Sequence, residues 1–165
     1  KISLLNLSLL LATLIHAETN SSQLNFEDKD VQQTIIDQAT ELIGIDDRDG
    51  DGITRYHHRI DHKPFTDSGW GVFRFPNNNL KAIFRFDKGL RHGLCTFWHE
   101  NGQMAQQGAF LKGKEEGLFT WWHENGQKKE ESNFIDGKLD GTSEGWHTNG
   151  NQAHRVIWRD GVQQG

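Results

Sequence analysis

Residues 117–141 read GLFTWWHENGQKKEESNFIDGKLDG, and the same phrasing recurs on either side of them at a constant step. Gly89, Gly113, Gly137 and Gly161 are 24 residues apart, as are Gly93, Gly117, Gly141 and Gly165. Phe86, Phe110, Phe134 and Trp158 keep that step, and so do Asn77, Asn101, Asn125 and Asn149. A period of this size marks a stacked repeat architecture, in which each unit buries its apolar surface only against its neighbours.

Two turns recur in each copy. Asn101-Gly102, Asn125-Gly126 and Asn149-Gly150 carry the strongest short hairpin signal, because both central residues of a type I′ turn need positive φ. Asp136-Gly137 and Asp160-Gly161 mark the second turn, with Lys88-Gly89 and Lys112-Gly113 as looser versions. Two tight turns per copy give about two strands per repeat and roughly eight strands from Gly69 onward.

Centring the hairpins on the Asn-Gly pairs sets Gly69 opposite Phe86, Gly93 opposite Phe110, Gly117 opposite Phe134 and Gly141 opposite Trp158. These are candidate structural pairs, in which a ring covers backbone exposed by the facing glycine. Two-residue turns preserve the face assignment along the meander. One face then carries those pairs with Phe73, Phe97, Phe119 and Trp121; the other carries Trp98, Trp122 and Trp146 with Leu94 and Leu118. The expected fold is all-β, an antiparallel meander of stacked hairpins with one N-terminal α-helix. An apolar face left without cover is a binding surface, and Trp98, Trp122, Trp146, Phe97 and Trp121 are its candidate residues.

The stretch 117–141 resembles the bacterial variant of the MORN repeat, a glycine-headed hairpin with aromatic residues before an Asn-Gly-Gln turn. The resemblance covers four copies over 69–165; the copy at 69–92 has Asn77-Asn78 for Asn-Gly and Arg74 for the Trp. It implies an all-β stack of hairpins, a protein-interaction role and no catalytic residues. Chains similar in this way are grouped as YwqK-type antitoxins of toxin–antitoxin systems.

Upstream, Lys1 is followed by an apolar run from Leu4 to Ile15 and a small residue at Ala17. This is the layout of a signal peptide over 1–17, too short to span a bilayer comfortably, and it implies export to a bacterial periplasm or medium. An uncleaved N-terminal anchor is the alternative, and no other membrane binding is expected. Residues 18–30 read as a flexible leader. Val31, Ile35, Ala39, Leu42 and Ile43 recur at helical steps, which predicts an amphipathic helix over 31–44 with Asp30 as N-cap and Gly44 as stop. An irregular lead-in follows over 45–68.

Composition narrows the function. The 165 residues hold 18 Lys and Arg against 23 Asp and Glu, a net charge of −5, with no basic cluster. Nucleic acid and anionic lipid both reward clustered cations, so neither is an expected partner. Cys95 is the single cysteine, so no intramolecular disulfide forms. Asp47, Asp49 and Asp51 before Gly52 resemble the start of a calcium loop and are the metal candidates, although His58 stands where a bidentate Glu belongs. His57, His58, Asp61 and His62 form a loop cluster whose spacing does not suit helix-borne zinc ligands near Pro64. His99, His123 and His147 form a column at a spacing of roughly 9.5 Å, too far apart to share one ion. Glu100 and Glu124 read as rim charges, not paired acids. No nucleophile elbow or phosphate loop is present, so no catalytic residue and no cofactor is assigned. The expected function is an exported, non-enzymatic repeat module for protein–protein interaction. Its alternatives are an antitoxin and a calcium- or carbohydrate-binding envelope protein.

Overall fold

The structure is a computed structural model that describes residues 28–38, 40–45, 55–58 and 68–165. The signal-peptide reading over 1–17 and the metal candidates Asp47, Asp49 and Asp51 lie outside the described residues. Two compact units divide the chain, Lys1–Ala39 and Thr40–Gly165.

In the first unit, helix α1 spans Lys29–Gln38. Its N-cap is Asp28, not Asp30: the Asp28 carboxylate accepts the N–H groups of Asp30 at 2.8 Å and Val31 at 3.4 Å. Asp30 instead falls in the first turn, where its charge faces the positive end of the helix dipole. The leader therefore ends before Lys29. The helix also ends earlier than its apolar spacing predicts, because Thr40–Ile45 forms strand β1. That segment holds the β-branched residues Thr40, Ile43 and Ile45, and two neighbouring strands supply its backbone partners, which outweighs a helical periodicity of a single turn.

The second unit is one sheet. Its strands are β1, β2 (Arg55–His58), β3 (Gly69–Arg74), β4 (Leu80–Asp87), β5 (Leu90–Trp98) and β6 (Met104–Leu111). They continue as β7 (Lys114–Trp122), β8 (Lys128–Ile135), β9 (Lys138–Trp146), β10 (Gln152–Arg159) and β11 (Val162–Gln163). The spatial order β11-β10-β9-β8-β7-β6-β5-β4-β3-β1-β2 is an antiparallel meander from β3 onward. The all-β hairpin stack is as expected from the 24-residue period. Two details differ. The lead-in at 45–68 contains β2, which pairs antiparallel with β1, and β1 joins β3 in parallel through Thr40 opposite Gly71 and Glu41 opposite Val72.

The turns exchange the roles read from sequence. At Lys88-Gly89, Lys112-Gly113, Asp136-Gly137 and Asp160-Gly161 both residues have positive φ, with the first between 49° and 51°, the signature of two-residue type I′ turns. At the Asn-Gly site, Gly102 alone is left-handed (φ 84°). Gly102 N–H donates to the His99 carbonyl at 2.9 Å, and His99 N–H to the Gln103 carbonyl at 2.8 Å, which closes a three-residue loop. Asn101 is held in a right-handed turn because its own Oδ1 accepts Gln103 N–H at 3.0 Å.

The predicted register nonetheless holds. A three-residue loop moves the pairing by one position, and a bulge moves it back: Trp98 faces Met104, then Phe97 faces Gln106, with Ala105 as the extra residue. Beyond the bulge, Gly93 pairs with Phe110, Gly117 with Phe134, Gly141 with Trp158 and Gly69 with Phe86. A second shift follows the type I′ turns at Gly89, Gly113 and Gly137, as between Phe86–Arg91 and Phe84–Cys95. It moves the pairing by two positions, so the face of every side chain is kept.

The aromatic face packs around Ala82, Phe84, Phe86, Cys95, Phe110 and Phe119, with Phe73, Phe97, Trp121 and Phe134 against them. Ring contacts run unbroken from Phe73–Phe84 (5.3 Å between centroids) through Phe84–Phe110 (6.5 Å) and Phe110–Phe119 (5.5 Å) to Phe119–Phe134 (5.2 Å). The middle row of this face explains how a repeat accommodates different side chains. Phe84 faces Cys95, Cys95 faces Gly108, Phe119 faces Ser132, and Ser132 faces Ser143. Each ring in this row, Phe84 and Phe119, is thus followed by two small residues, Cys95 and Gly108 or Ser132 and Ser143, which leave the space it fills.

The ring-over-glycine contact falls in that row and not where the sequence placed it. A Cβ on Gly117 would meet nothing within 4 Å, so glycine is required there by its backbone (φ 77°) and not by a covering ring. A Cβ on Gly108, in that row, would fall inside the Phe119 ring, and one on Gly145, in the row beside it, inside the His154 ring.

Candidate interaction surface

Side chains on the face opposite the aromatic core change character along the array. Its middle row runs Val72, Ile83, Thr96, Gln107, Thr120, Glu131, Glu144, Arg155, one residue from each of β3 to β10. The first three are buried and the rest are polar, paired with neighbours in the row. Gln107 Nε2 donates to Thr96 Oγ1 at 3.3 Å, Thr120 Oγ1 to Glu131 at 3.4 Å, and Arg155 Nε lies 3.3 Å from Glu144. The opposite face is therefore amphipathic, with a hydrophilic centre flanked by apolar residues, and is not apolar throughout.

The five binding candidates separate. Phe97 and Trp121 lie on the core face, within the aromatic packing. Trp98 lies on the opposite face but is only 6 % exposed. Trp122 and Trp146 are half-buried on that same face, and with Leu118 (51 % exposed) and Ile157 (56 % exposed) they are what a partner could reach. The structural candidates Gly93, Phe110, Gly117, Phe134, Gly141 and Trp158 all occupy the paired positions described above.

At Trp146 the face opens into a cleft of about 370 Å³ lined by Gln127, Lys128, Trp146 and Gly150. Lys128 Nζ stands 5.4 Å from the Trp146 ring centroid and 2.6 Å from Glu131 Oε1, so one ammonium ties the indole to the acidic row. In the preceding repeat the equivalent glutamine stands closer: Gln103 Oε1 would be 2.6 Å from a Cβ on Gly126, whereas Gln127 Oε1 would be 3.8 Å from one on Gly150.

The His column has a structural purpose that sequence reasoning missed. His99 Nε2 lies 2.9 Å from the Trp122 carbonyl oxygen, and His123 Nε2 2.9 Å from that of Trp146. Beside it, Asn101 Nδ2 donates to the Glu124 carbonyl at 2.8 Å and Asn125 Nδ2 to the Thr148 carbonyl at 3.0 Å. Each Asn-Gly loop is thereby fastened to the next by two side-chain donors reaching two backbone carbonyls. The signal available in the sequence was the shared 24-residue step of His and Asn on one rim. The other rim is fastened by backbone and charge: Gly137 N–H donates to the Glu115 carbonyl at 3.0 Å, Lys114 Nζ pairs with Asp136 at 2.8 Å, and Lys138 Nζ pairs with Asp160 at 2.6 Å.

Glu100 is used on the first rim, where its carboxylate accepts Asn77 Nδ2 at 2.7 Å. Cys95 is buried on the core face, and burial pushes its thiol up to about 12, with Arg91 opposing the shift. Among the described residues no three His, Cys, Asp or Glu side chains are placed to share a metal ion.

Two stretches, residues 91–112 and 115–136, match the MORN repeat variant family. They coincide with the β5–β6 and β7–β8 hairpins, the most regular part of the array. No curated protein sequence matches the chain. Among solved structures, a point mutant of S. aureus TarM in complex with Fondaparinux, alpha-GlcNAc-glycerol and UDP overlays 88 % of the chain at 14 % identity with a TM-score of 0.37. A second TarM structure overlays 84 % of it at 14 % identity with a TM-score of 0.34. The chain spans about a quarter of the length of that protein.

Proposed function

We propose that this chain is an exported, non-enzymatic repeat module that binds a protein or peptide partner. The family match supports an interaction module built of hairpin repeats. The observation that carries the reading is the contrast along one face: Trp98 is buried, while Trp122 and Trp146 stay partly accessible between exposed Leu118 and Ile157. An amphipathic aromatic strip of this kind supplies contact area at low conformational cost, with polar groups at its centre to fix orientation. Affinity capture on the intact chain, followed by mass identification, tests it. Replacement of Trp122 and Trp146 by Ser abolishes capture with the fold retained, and unchanged capture refutes it.

Neutralisation of a toxin is a second reading, supported by the resemblance of residues 117–141 to YwqK-type antitoxins. Rescue of growth when the chain is co-expressed with a toxin encoded beside it separates this from a general interaction role. The cleft beside Trp146 favours a third reading, a saccharide held by the indole and the Gln127 and Lys128 side chains. Titration with neutral and acidic oligosaccharides, read by tryptophan fluorescence, tests it.

A further inference from the structure

The hexapeptide Trp-His-Glu-Asn-Gly-Gln occurs twice, at 98–103 and 122–127, so two loops of the rim share one intrinsic chemistry. An Asn-Gly pair is prone to close on itself. The glycine backbone nitrogen gives its proton to water and attacks the asparagine Cγ. A bond from that nitrogen to Cγ forms, the Cγ–Nδ2 bond breaks, and Nδ2 takes a proton and leaves as ammonia. Water then opens the cyclic imide at either carbonyl, which yields aspartate or isoaspartate. The turn itself creates the exposure: Gly102 and Gly126 are left-handed (φ 84° and 80°), and the residue that this backbone favours is the one with no side chain to shield its nitrogen.

Every group in that reaction is held by a bond in the structure. The attacking nitrogens of Gly102 and Gly126 donate to the His99 and His123 carbonyls, each at 2.9 Å. The Oδ1 atoms of Asn101 and Asn125 accept Gln103 N–H at 3.0 Å and Gln127 N–H at 3.1 Å. The leaving nitrogens donate to the Glu124 carbonyl at 2.8 Å and the Thr148 carbonyl at 3.0 Å. Nucleophile, electrophile and leaving group are thus restrained while the loop is fastened, and local opening releases all three together. His99 and His123 control that opening, since their Nε2 atoms bind the Trp122 and Trp146 carbonyls at 2.9 Å.

The product does not refasten. Aspartate puts a carboxylate oxygen in place of the Nδ2 donor, against a carbonyl oxygen. Isoaspartate routes the backbone through Cγ and so lengthens a loop closed by bonds between His99 and Gln103 or between His123 and Gln127. At Asn125 the effect reaches the cleft, because Gln127 N–H is held by Asn125 and the Trp146 carbonyl by His123, and Gln127 and Trp146 both line it. We infer that Asn101 and Asn125 are sites of self-modification to aspartate and isoaspartate, shielded while the rim is fastened and converted when it opens, so that a transient opening becomes a permanent release. The first copy supplies a control: Asn77 Oδ1 accepts Asn79 N–H at 3.0 Å in the same way, but the next residue is Asn78, whose side chain shields the nitrogen.

The 165-residue chain, its His99→Ala and His123→Ala variants and the end-blocked peptide WHENGQ are incubated in one mildly alkaline buffer, with conversion at each site read by proteolytic mapping. Asn101 and Asn125 convert at least about tenfold more slowly in the chain than in the peptide. In the urea-unfolded chain both convert faster than Asn77. His123→Ala raises the rate at Asn125 about fivefold and raises it less at Asn101, and His99→Ala does the reverse. A loss of global stability alone raises both sites alike, so the reversal isolates the rim. Chains converted at Asn125 keep a fast-exchanging Gln127 amide after return to native buffer. Rates in the chain equal to those of the peptide, rates unchanged or raised equally by the two variants, or converted chains with a native Gln127 amide overturn the proposal.

Discussion

Gly108 and Phe119 face each other across β6 and β7, and the Phe119 ring occupies the space where a Gly108 side chain would begin. Phe119 is fully buried, between the Phe110 and Phe134 rings. Gly108→Ala therefore forces that ring aside and destabilises the chain by about 1–3 kcal/mol, read as a lower denaturation midpoint at unchanged m-value. Adding Phe119→Leu to Gly108→Ala recovers part of the loss, because the two residues share one volume. Gly117→Ala, which meets no neighbour, loses only the backbone penalty of about 1–2 kcal/mol and is not rescued by any change at Phe134.

Ser132 and Ser143 take the corresponding slot one repeat on, with hydroxyls 2.8 Å apart and both buried. Ser132 also donates to Glu130 at 3.1 Å, one proton being shared between these two acceptors, so the pair is unequal. Ser132→Ala leaves the Ser143 hydroxyl buried without this partner, whereas Ser143→Ala leaves Ser132 its carboxylate. The expected order of destabilisation is Ser132→Ala, about 1–3 kcal/mol, above Ser143→Ala, with the double variant close to the milder single one. Equilibrium unfolding of the three variants checks the order.

Cys95 gives the alkaline limb of stability a defined sign. Burial raises its pKa from 9.0 to about 12, so the folded chain keeps a proton that the unfolded chain loses. The stabilisation is complete below pH 9 and declines as pH rises toward 12, by about 1.4 kcal/mol per unit at most. Comparison of the parent chain with Cys95→Ala over that range isolates the effect: the parent loses its relative stability as pH rises. Thiol-reactive reagents at neutral pH label Cys95 only through unfolding, since neither access nor thiolate is offered by the native state.

Asn125 has two uses, an internal bond to Gln127 N–H at 3.1 Å and a bond to the Thr148 carbonyl at 3.0 Å. Among the described residues Asn149 has only the first. Asn125→Ala is expected to cost about 1–2 kcal/mol, roughly twice the cost of Asn149→Ala. Asn125→Ala frees the Gln127 amide and loosens the contact with the next loop, whereas Asn149→Ala speeds exchange at the Asn151 amide and keeps the Asn125 bond to the Thr148 carbonyl.

The repeat, the faces and the strand register were legible because they depend on parity and period, which survive errors in the turns. The sequence implies a two-residue Asn-Gly loop and the structure has three, yet the bulge at Ala105 returns Gly93 to Phe110. The chemistry of the rim was less legible. That His99 and Asn101 act across repeats requires knowing how far one loop lies from the next, which spacing alone does not give. The helix boundary failed at Thr40, where pairing with β2 and β3 decided against apolar spacing. Trp98, Trp122 and Trp146 share one position in the period, but Trp98 is buried and the other two are half-buried, a difference that the period alone does not carry.

The uneven placing of bulky and slight residues along the middle row makes neighbouring units unequal partners. Phe84 meets Cys95, Gly108 lies beneath Phe119, and Ser132 meets Ser143. Transposing two of these hairpins would bring ring against ring at one seam and leave a void at the other. The array is thus a sentence with a fixed word order, although every word has the same length.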